Sequence, residues 1–470
     1  MNLLTLPWLE LSVLLPLAGA LCVGRVRDAD TSSRWCLAFT GLTLACTLLA
    51  LAGHVTGVSP TGASPWDVLP RLFDRPLLEI DELSAPLLPL VALLHFLTTL
   101  ATARTKMARF SFAWMLAAES VRLALFAVKG PWLLIGFLAL NTLPPYFELL
   151  KRGKPTRIYV VHMALFVVLL VSGWACADTG GKALSALAAV LLLAAILIRS
   201  GTVPAHLWVA DLFEHCTFGT ALLFVTPIAG VYAAVRLVLP VAPDWVLQSI
   251  GVFSLVTAVY AAGMAVVQRE ARRFFAYLFL SHASLILVGL ELHTSLSLTG
   301  ALCLWFSVAL SLGGLGLTLR AVEARFGRMT LDRYHGLYEH SPALAVCFLL
   351  TGLGSVGFPG TLGYVAAEVL VDGAIEANLS IGVGMALVAA INGIAIVRAY
   401  FLLFTGGRHV STVSLGITPR ERFAVLTLAA LILGGGLYPQ PGVVSRHKAA
   451  EAILRERTGP AETTDHPPGD

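Results

Sequence analysis

Several ionisable side chains lie where the sequence offers them almost no water. Arg122, Arg199 and Arg398 sit inside long apolar runs, and Glu119, Glu148, Glu368, His206 and His282 sit within or at the ends of such runs. An arginine at a bilayer centre costs roughly 2.5–3.5 kcal/mol on insertion scales, so each needs a partner, a cavity or a place near the interface. Charged groups in that setting are candidates for moving ions. Glu119 and Arg122 are three residues apart; on a helix they share a face and can form an ion pair. His282, whose imidazole ordinarily titrates near neutrality, can relay a proton or simply bond a neighbouring helix. His95 and His162 read as structural histidines, and Arg398 as a side chain that snorkels to the interface.

The elements that must position these groups are membrane helices. The chain has 470 residues, 57% hydrophobic and 13% charged, against about a quarter charged in a soluble protein. Apolar runs of about 18–25 residues, each long enough to span a bilayer, recur along the chain. The alternating ten-residue segments of a transmembrane β-barrel are absent. The pattern predicts an all-α polytopic membrane protein with fourteen spans, near 3–24, 35–55, 83–103, 109–128, 131–149, 157–176, 183–215, 217–239, 246–267, 273–290, 296–319, 341–371, 378–404 and 423–440. Residues 443–470, ending in RERTGPAETTDHPPGD, read as a disordered tail.

Lysine and arginine crowd into one set of alternate loops, at 25–34, 104–109, 151–157, 269–273, 320–333 and 408–422. The other set holds only Arg71, Arg75, Lys129, Lys182 and Arg236. The positive-inside rule makes the first set cytoplasmic and puts both termini outside. No Lys or Arg precedes the first apolar run, so that run reads as a retained helix rather than a secretory signal. The setting that fits is a bacterial inner membrane.

Seven isolated cysteines with no CxxC point away from disulfide, zinc or iron–sulfur roles. A dinucleotide fingerprint, a Walker loop, a nucleophile elbow and HExxH are all missing. The expectation is a chain with no cofactor, metal or nucleic-acid partner and no catalytic site of its own.

Two spans carry helix breakers. The seventh reads RSGTVPAH, with Gly201 and Pro204; the twelfth reads GLGSVGFPGTLGY, with Gly357, Pro359 and Gly360. Proline removes a backbone donor and glycine loosens the helix, so both spans should open within the membrane. Each break falls in the fourth helix of a set of five. The expected organisation is helices one to three (1–108), a five-helix repeat (109–240), a second, inverted five-helix repeat (241–405), helix fourteen (406–442) and the tail (443–470). Broken helices at matching positions of inverted repeats mark ion or substrate sites.

The stretch PAHLWVADLFEH (204–215), with GVYAAVRL (230–237), QREARRFFAYLFLSHAS (268–284), GFPGTLGYVAAE (357–368) and IDELSAPL (80–87), resembles the antiporter-like subunits of respiratory complex I and of Mrp-type cation/proton antiporters. The resemblance covers nearly the whole chain in order. It implies a half-channel in each repeat, with a Glu–Lys pair between the fifth and seventh helices, Lys or His relays beyond, and a Lys or Glu on the twelfth. Carried over, the Glu falls on Ala139, the seventh-helix Lys on Arg199, the eighth-helix Lys on Ile228, the eleventh-helix His on Val308 and the twelfth-helix Glu on Ala367, beside Glu368. Arg272 replaces the usual Lys, while His206, Trp208 and His282 match the family. Arginine stays protonated under ordinary conditions and is a poor proton carrier. Glu119, Arg122, Glu148 and Glu368 are the replacement candidates. The longest members carry a lateral helix, and nothing after span fourteen is expected to form one here.

These features imply a proton- or cation-translocating subunit, bound to other membrane and soluble subunits of an energy-coupling complex. Two alternatives stay open: the membrane subunit of a DabAB-type inorganic-carbon uptake system, and a non-conducting scaffold.

Overall fold

The computed structural model describes residues 6–57, 77–103, 107, 110–177, 184–292, 294–407 and 416–458. Arg71, Arg75, Arg104, Lys106, Arg109, Lys182 and Arg408 of the loop alternation, and 459–470 of the tail, lie outside the described residues.

Helices account for the described chain, and the one β contact among the described residues is an isolated antiparallel bridge between Glu270 and Thr330. In order they are α1 (Trp8–Val23), α2 (Ala29–Val55), α3 (Leu87–Leu100), α4 (Phe112–Ala127), α5 (Pro131–Leu140), α6 (Leu143–Lys151), α7 (Arg157–Ala177), α8 (Ala186–Ser200), α9 (Leu207–His215), α10 (Phe218–Val225), α11 (Ala229–Ala233), α12 (Asp244–Val267), α13 (Ala271–Glu291), α14 (Ser295–Phe326), α15 (Pro342–Ser355), α16 (Leu362–Ala377), α17 (Leu379–Phe404), α18 (Pro419–Leu437) and α19 (Gln440–Thr458). Every expected span has helix at its place. Among the described residues, eight helical stretches are by themselves long and apolar enough to cross a membrane.

Polar caps start several of these apolar helices. Asp28 accepts from the Thr31 amide at 2.8 Å, Thr217 caps α10, Thr294 caps α14, and Thr418 forms a reciprocal capping box with Glu421. Such caps satisfy amides that have no partner inside the helix. The Thr31 hydroxyl and amide hold the exposed Asp28 carboxyl below its usual range.

The centre of the bundle is Phe218–Val238, α13 and α14, whose apolar stretches are each 94% enclosed by the chain; α7, at 22%, is peripheral. Lipid is as apolar as leucine, so close van der Waals packing must hold such helices together. Small residues supply it where α14 meets α16. A Cβ on Gly300 would fall 2.5 Å from the backbone of Leu370, and one on Gly373 would fall 2.6 Å from the Ser297 amide. Gly300→Ala is therefore expected to cost about 1–3 kcal/mol by overpacking, read as a lower unfolding midpoint in detergent. An unchanged midpoint would contradict this helix contact.

The structure has more breaks than the sequence signals. Span seven opens as expected: α8 ends at Gly201 with φ +71°, and α9 resumes at Leu207. The groups freed there are bonded. Thr202 Oγ1 donates to the Leu197 carbonyl at 2.8 Å, and the Val203 amide donates to Thr257 Oγ1 at 2.9 Å. Backbone at this depth persists when it is satisfied by protein in this way. Span twelve opens between α15 and α16, with Gly357 at φ +83° and Gly360 at +84°. Spans five and eight, expected to be continuous, are also interrupted. The fifth breaks at Asn141–Thr142, ahead of Pro144 and Pro145, and the eighth breaks at Thr226–Ile228 around Pro227. The eighth then ends in a π-helical turn at Ala234–Val238.

The expected tail is corrected as well. Residues 440–458, expected to be part of a disordered tail, form α19, bent 80° from α18. Arg446, Ala449, Ala450 and Ile453 are buried along one face. The Arg446 Nη2 donates to the Glu82 carbonyl at 2.7 Å, and Arg457 Nη1 donates to the Leu239 carbonyl at 2.6 Å. The helix thus straps the loop before α3 to the end of span eight.

Candidate functional site

Arg199 is on the last turn of α8, two residues before the terminating Gly201. Its side chain is enclosed, with the residue only 4% exposed. The guanidinium lies 4.6 Å from the centroid of Phe224 and 5.6 Å from that of Trp208. The Trp208 indole is itself fixed by donating Nε1–H to the Ile198 carbonyl at 2.9 Å. Two aromatic faces thus replace the carboxylate that Ala139 cannot supply. Desolvated cation–π contacts are worth about 2 kcal/mol or more, whereas burying an ion costs several. Among the described residues, Arg199 Nε and Nη2 have no hydrogen-bond partner.

Arg122 does not form the expected ion pair with Glu119. Its Nη1 donates to His95 Nε2 at 2.8 Å, and among the described residues both oxygens of the fully buried Glu119 are without a hydrogen-bond partner. The reason is His95, which donates from Nδ1 to the Val91 carbonyl at 2.8 Å and so presents a bare Nε2 to the guanidinium. His95, read from sequence as a bland core residue, is the partner of an intramembrane arginine. Nothing in the local sequence indicates this, because the two residues lie on different helices.

Glu148 closes the start of α10. It accepts from the Thr217 amide at 2.6 Å, from the Thr220 hydroxyl, and from Arg152 Nη1 at 3.4 Å. A carboxylate at a helix N-terminus is favoured by the free amides and the dipole there. Glu148 also lines, with Ser111, Trp114, Arg122 and Thr220, a crevice of about 20 Å³, so Glu148 and Arg122 border one space.

Around the second break, His282 faces two carbonyls, Leu278 O at 2.8 Å from Nδ1 and Ser355 O at 3.0 Å from Nε2. A neutral imidazole can donate to one of them and an imidazolium to both. The neighbouring Ser281 donates to the Ala258 carbonyl and accepts from Asn392 Nδ2, both at 2.9 Å. His206 packs its ring 5.1 Å from that of Tyr260. Glu368 is not brought to this centre: it is exposed on α16, on one face with Asp372 and Glu376.

The positions where the resemblance expects charges are filled by apolar side chains. Val308 is fully buried, and Ile228 is 5% exposed with φ +50°, a strained value for a β-branched residue. The carbonyl of Pro227, freed beside it, accepts from Trp305 Nε1 at 3.2 Å.

Three arginines missed as interior groups are Arg272, Arg320 and Arg446. Arg272 grips Glu323 with two bonds of 2.5 and 2.6 Å and also donates to the Phe213 and Cys216 carbonyls. Arg320, read as a loop residue, donates to the Thr98 carbonyl and Thr102 Oγ1, both at 2.9 Å. Arg398 reaches the Gln268 and Leu331 carbonyls at 3.4 and 3.2 Å.

A family profile described as "NADH:quinone oxidoreductase/Mrp antiporter, TM" matches residues 177–392, the stretch holding both Arg199 and His282. Over that stretch, a little under half of its length, the chain is similar to this antiporter-like family. The similarity runs well beyond the matched segment. It is 28% identical over 513 aligned positions to NAD(P)H-quinone oxidoreductase chain 4 of a Synechococcus strain, covering 98% of this chain and 92% of that protein. The antiporter-like fold also recurs in a chain of respiratory complex I from Thermus thermophilus, with a TM-score of 0.83 at 22% identity, over 96% of this chain and all of that one. A chain of the Mrp complex from a Dietzia species gives a TM-score of 0.78 at 18% identity, over 98% of this chain and all of that one.

Proposed function

We propose that this antiporter-like chain is a proton-translocating membrane subunit of a multi-subunit energy-coupling complex. The observation that carries the reading is His282, held between a carbonyl of α13 and the last carbonyl of α15 at the second break. Protonation completes its hydrogen bonding and deprotonation frees one bond, so the second carbonyl offsets part of the cost of a proton that pauses there in passing. Chain-long similarity to a quinone oxidoreductase chain supports a redox-linked partner complex.

Two inverted five-helix units, 109–240 and 241–405, in an inner membrane with both termini outside, fit the contacts. Arg272–Glu323, Arg273–Glu214 and Arg325–Glu421 join ends on the basic-loop side. Lys129–Glu79 and Arg457–Asp244 join ends on the other. None of these pairs mixes the two sides. Ala139, Ile228 and Val308 favour the scaffold as a second reading, since none can carry a proton.

The test is proton movement by the intact complex. Isolated with its partners, reconstituted in vesicles holding a pH-sensitive dye and driven by its own redox reaction, it is expected to shift internal pH. Redox turnover with all subunits present and no pH change would leave the scaffold.

A further inference from the structure

We propose that the first helix break is a binding site for a single monatomic anion of the size of chloride, held by Arg199 and Ser200. Arg199 is a permanent charge, almost fully enclosed, and two of its nitrogens have no protein acceptor. The buried hydroxyl of Ser200 likewise has no partner. Both side chains border one small cavity of about 20 Å³, walled by Trp208, Val225, Ile228 and Gly230.

No acidic side chain of the described protein neutralises this guanidinium. Position 139 is alanine, and Glu119 makes no hydrogen bond, so it does not reach Arg199. The nearby Tyr159 hydroxyl is spent on the Thr142 carbonyl at 2.7 Å. A buried charge left uncompensated is strongly destabilising, and the rings of Phe224 and Trp208 offset only part of that. Guanidinium N–H groups and a serine O–H all donate, so the cavity offers donors and asks for an acceptor bearing negative charge. Its volume is that of about one water-sized particle, which admits a monatomic anion and excludes gluconate or sulfate. An anion here would make the break a fixed, charge-compensated site in place of a titrating lysine–carboxylate pair.

A ligand that binds only the folded chain raises its stability with concentration. The purified full chain should be unfolded thermally in potassium chloride mixed with potassium gluconate at constant ionic strength. The parent midpoint is expected to climb and saturate with chloride, whereas Arg199→Gln should be flat. Ser200→Ala should raise the half-saturating chloride about tenfold, as expected for losing a hydrogen bond to an ion. If Arg199→Gln does not fold, the Ser200→Ala shift and chloride-35 line broadening by the parent protein decide. A parent midpoint indifferent to chloride, a chloride response equal in Arg199→Gln, or an unshifted Ser200→Ala would mean a water-filled cavity and overturn the proposal.

Discussion

Arg272→Ala is expected to destabilise the chain by about 3–5 kcal/mol, the range for removing one partner of a buried ion pair. The side chain joins three pieces of structure. Its Nε and Nη2 hold Glu323 near the end of α14, and its Nη1 holds the Phe213 and Cys216 carbonyls at the end of α9. Truncation leaves the Glu323 carboxylate and two carbonyls without these donors, close to where the seventh span resumes. Arg272→Lys keeps the charge but loses the planar fork, so it should fall between parent and alanine. The measurement is unfolding in detergent of parent, alanine and lysine forms. Lysine stability equal to the parent's would show that charge alone suffices.

Replacing His282 with glutamine is expected to slow proton movement on the order of a hundredfold, the low end of what a positioned proton-transferring side chain contributes. Glutamine can donate from its amide nitrogen to one of the two carbonyls, Leu278 O or Ser355 O. It takes up no proton, so it separates structural bonding from relay. His282→Leu removes both bonds and should also destabilise the junction between α13 and α15. If His282 served packing alone, glutamine would leave proton movement near the parent level.

The fold was largely legible because lipid leaves a chain few choices. Apolar runs of spanning length must be helical, since only a helix satisfies its own backbone there. Gly201 and Gly357 adopt the positive φ angles that their place in the breaks suggests. The extra breaks near Asn141 and Ile228 were missed because the short dips at Asn141–Tyr146 and Thr226–Pro227 are flanked by apolar residues and were read through as parts of continuous spans. The polar composition of 440–458 concealed α19. Spacing of Arg446, Ala449, Ala450 and Ile453 at i, i+3, i+4 and i+7 was the available signal for a buried helical face.

The candidate site was legible at its backbone and poorly legible in its charges. Arg199 and His206 flank the first break, as their place in the sequence suggests, whereas His282, read as part of the unbroken tenth span, reaches the second break only through the Ser355 carbonyl. The i, i+3 rule put Glu119 beside Arg122, yet His95 from another helix takes the guanidinium. Such partnerships depend on tertiary contacts between residues far apart in the chain. Glu148, expected near the cytoplasmic end of span five, is a cap for α10, and Glu368 is turned outward on α16.

Proton movement by the intact complex carrying His282→Gln, followed with an entrapped pH-sensitive dye while redox turnover is recorded in parallel, tests the relay most directly. The account predicts an assembled complex that still turns over but moves protons on the order of a hundredfold more slowly. Proton movement equal to the parent's at equal turnover would contradict it.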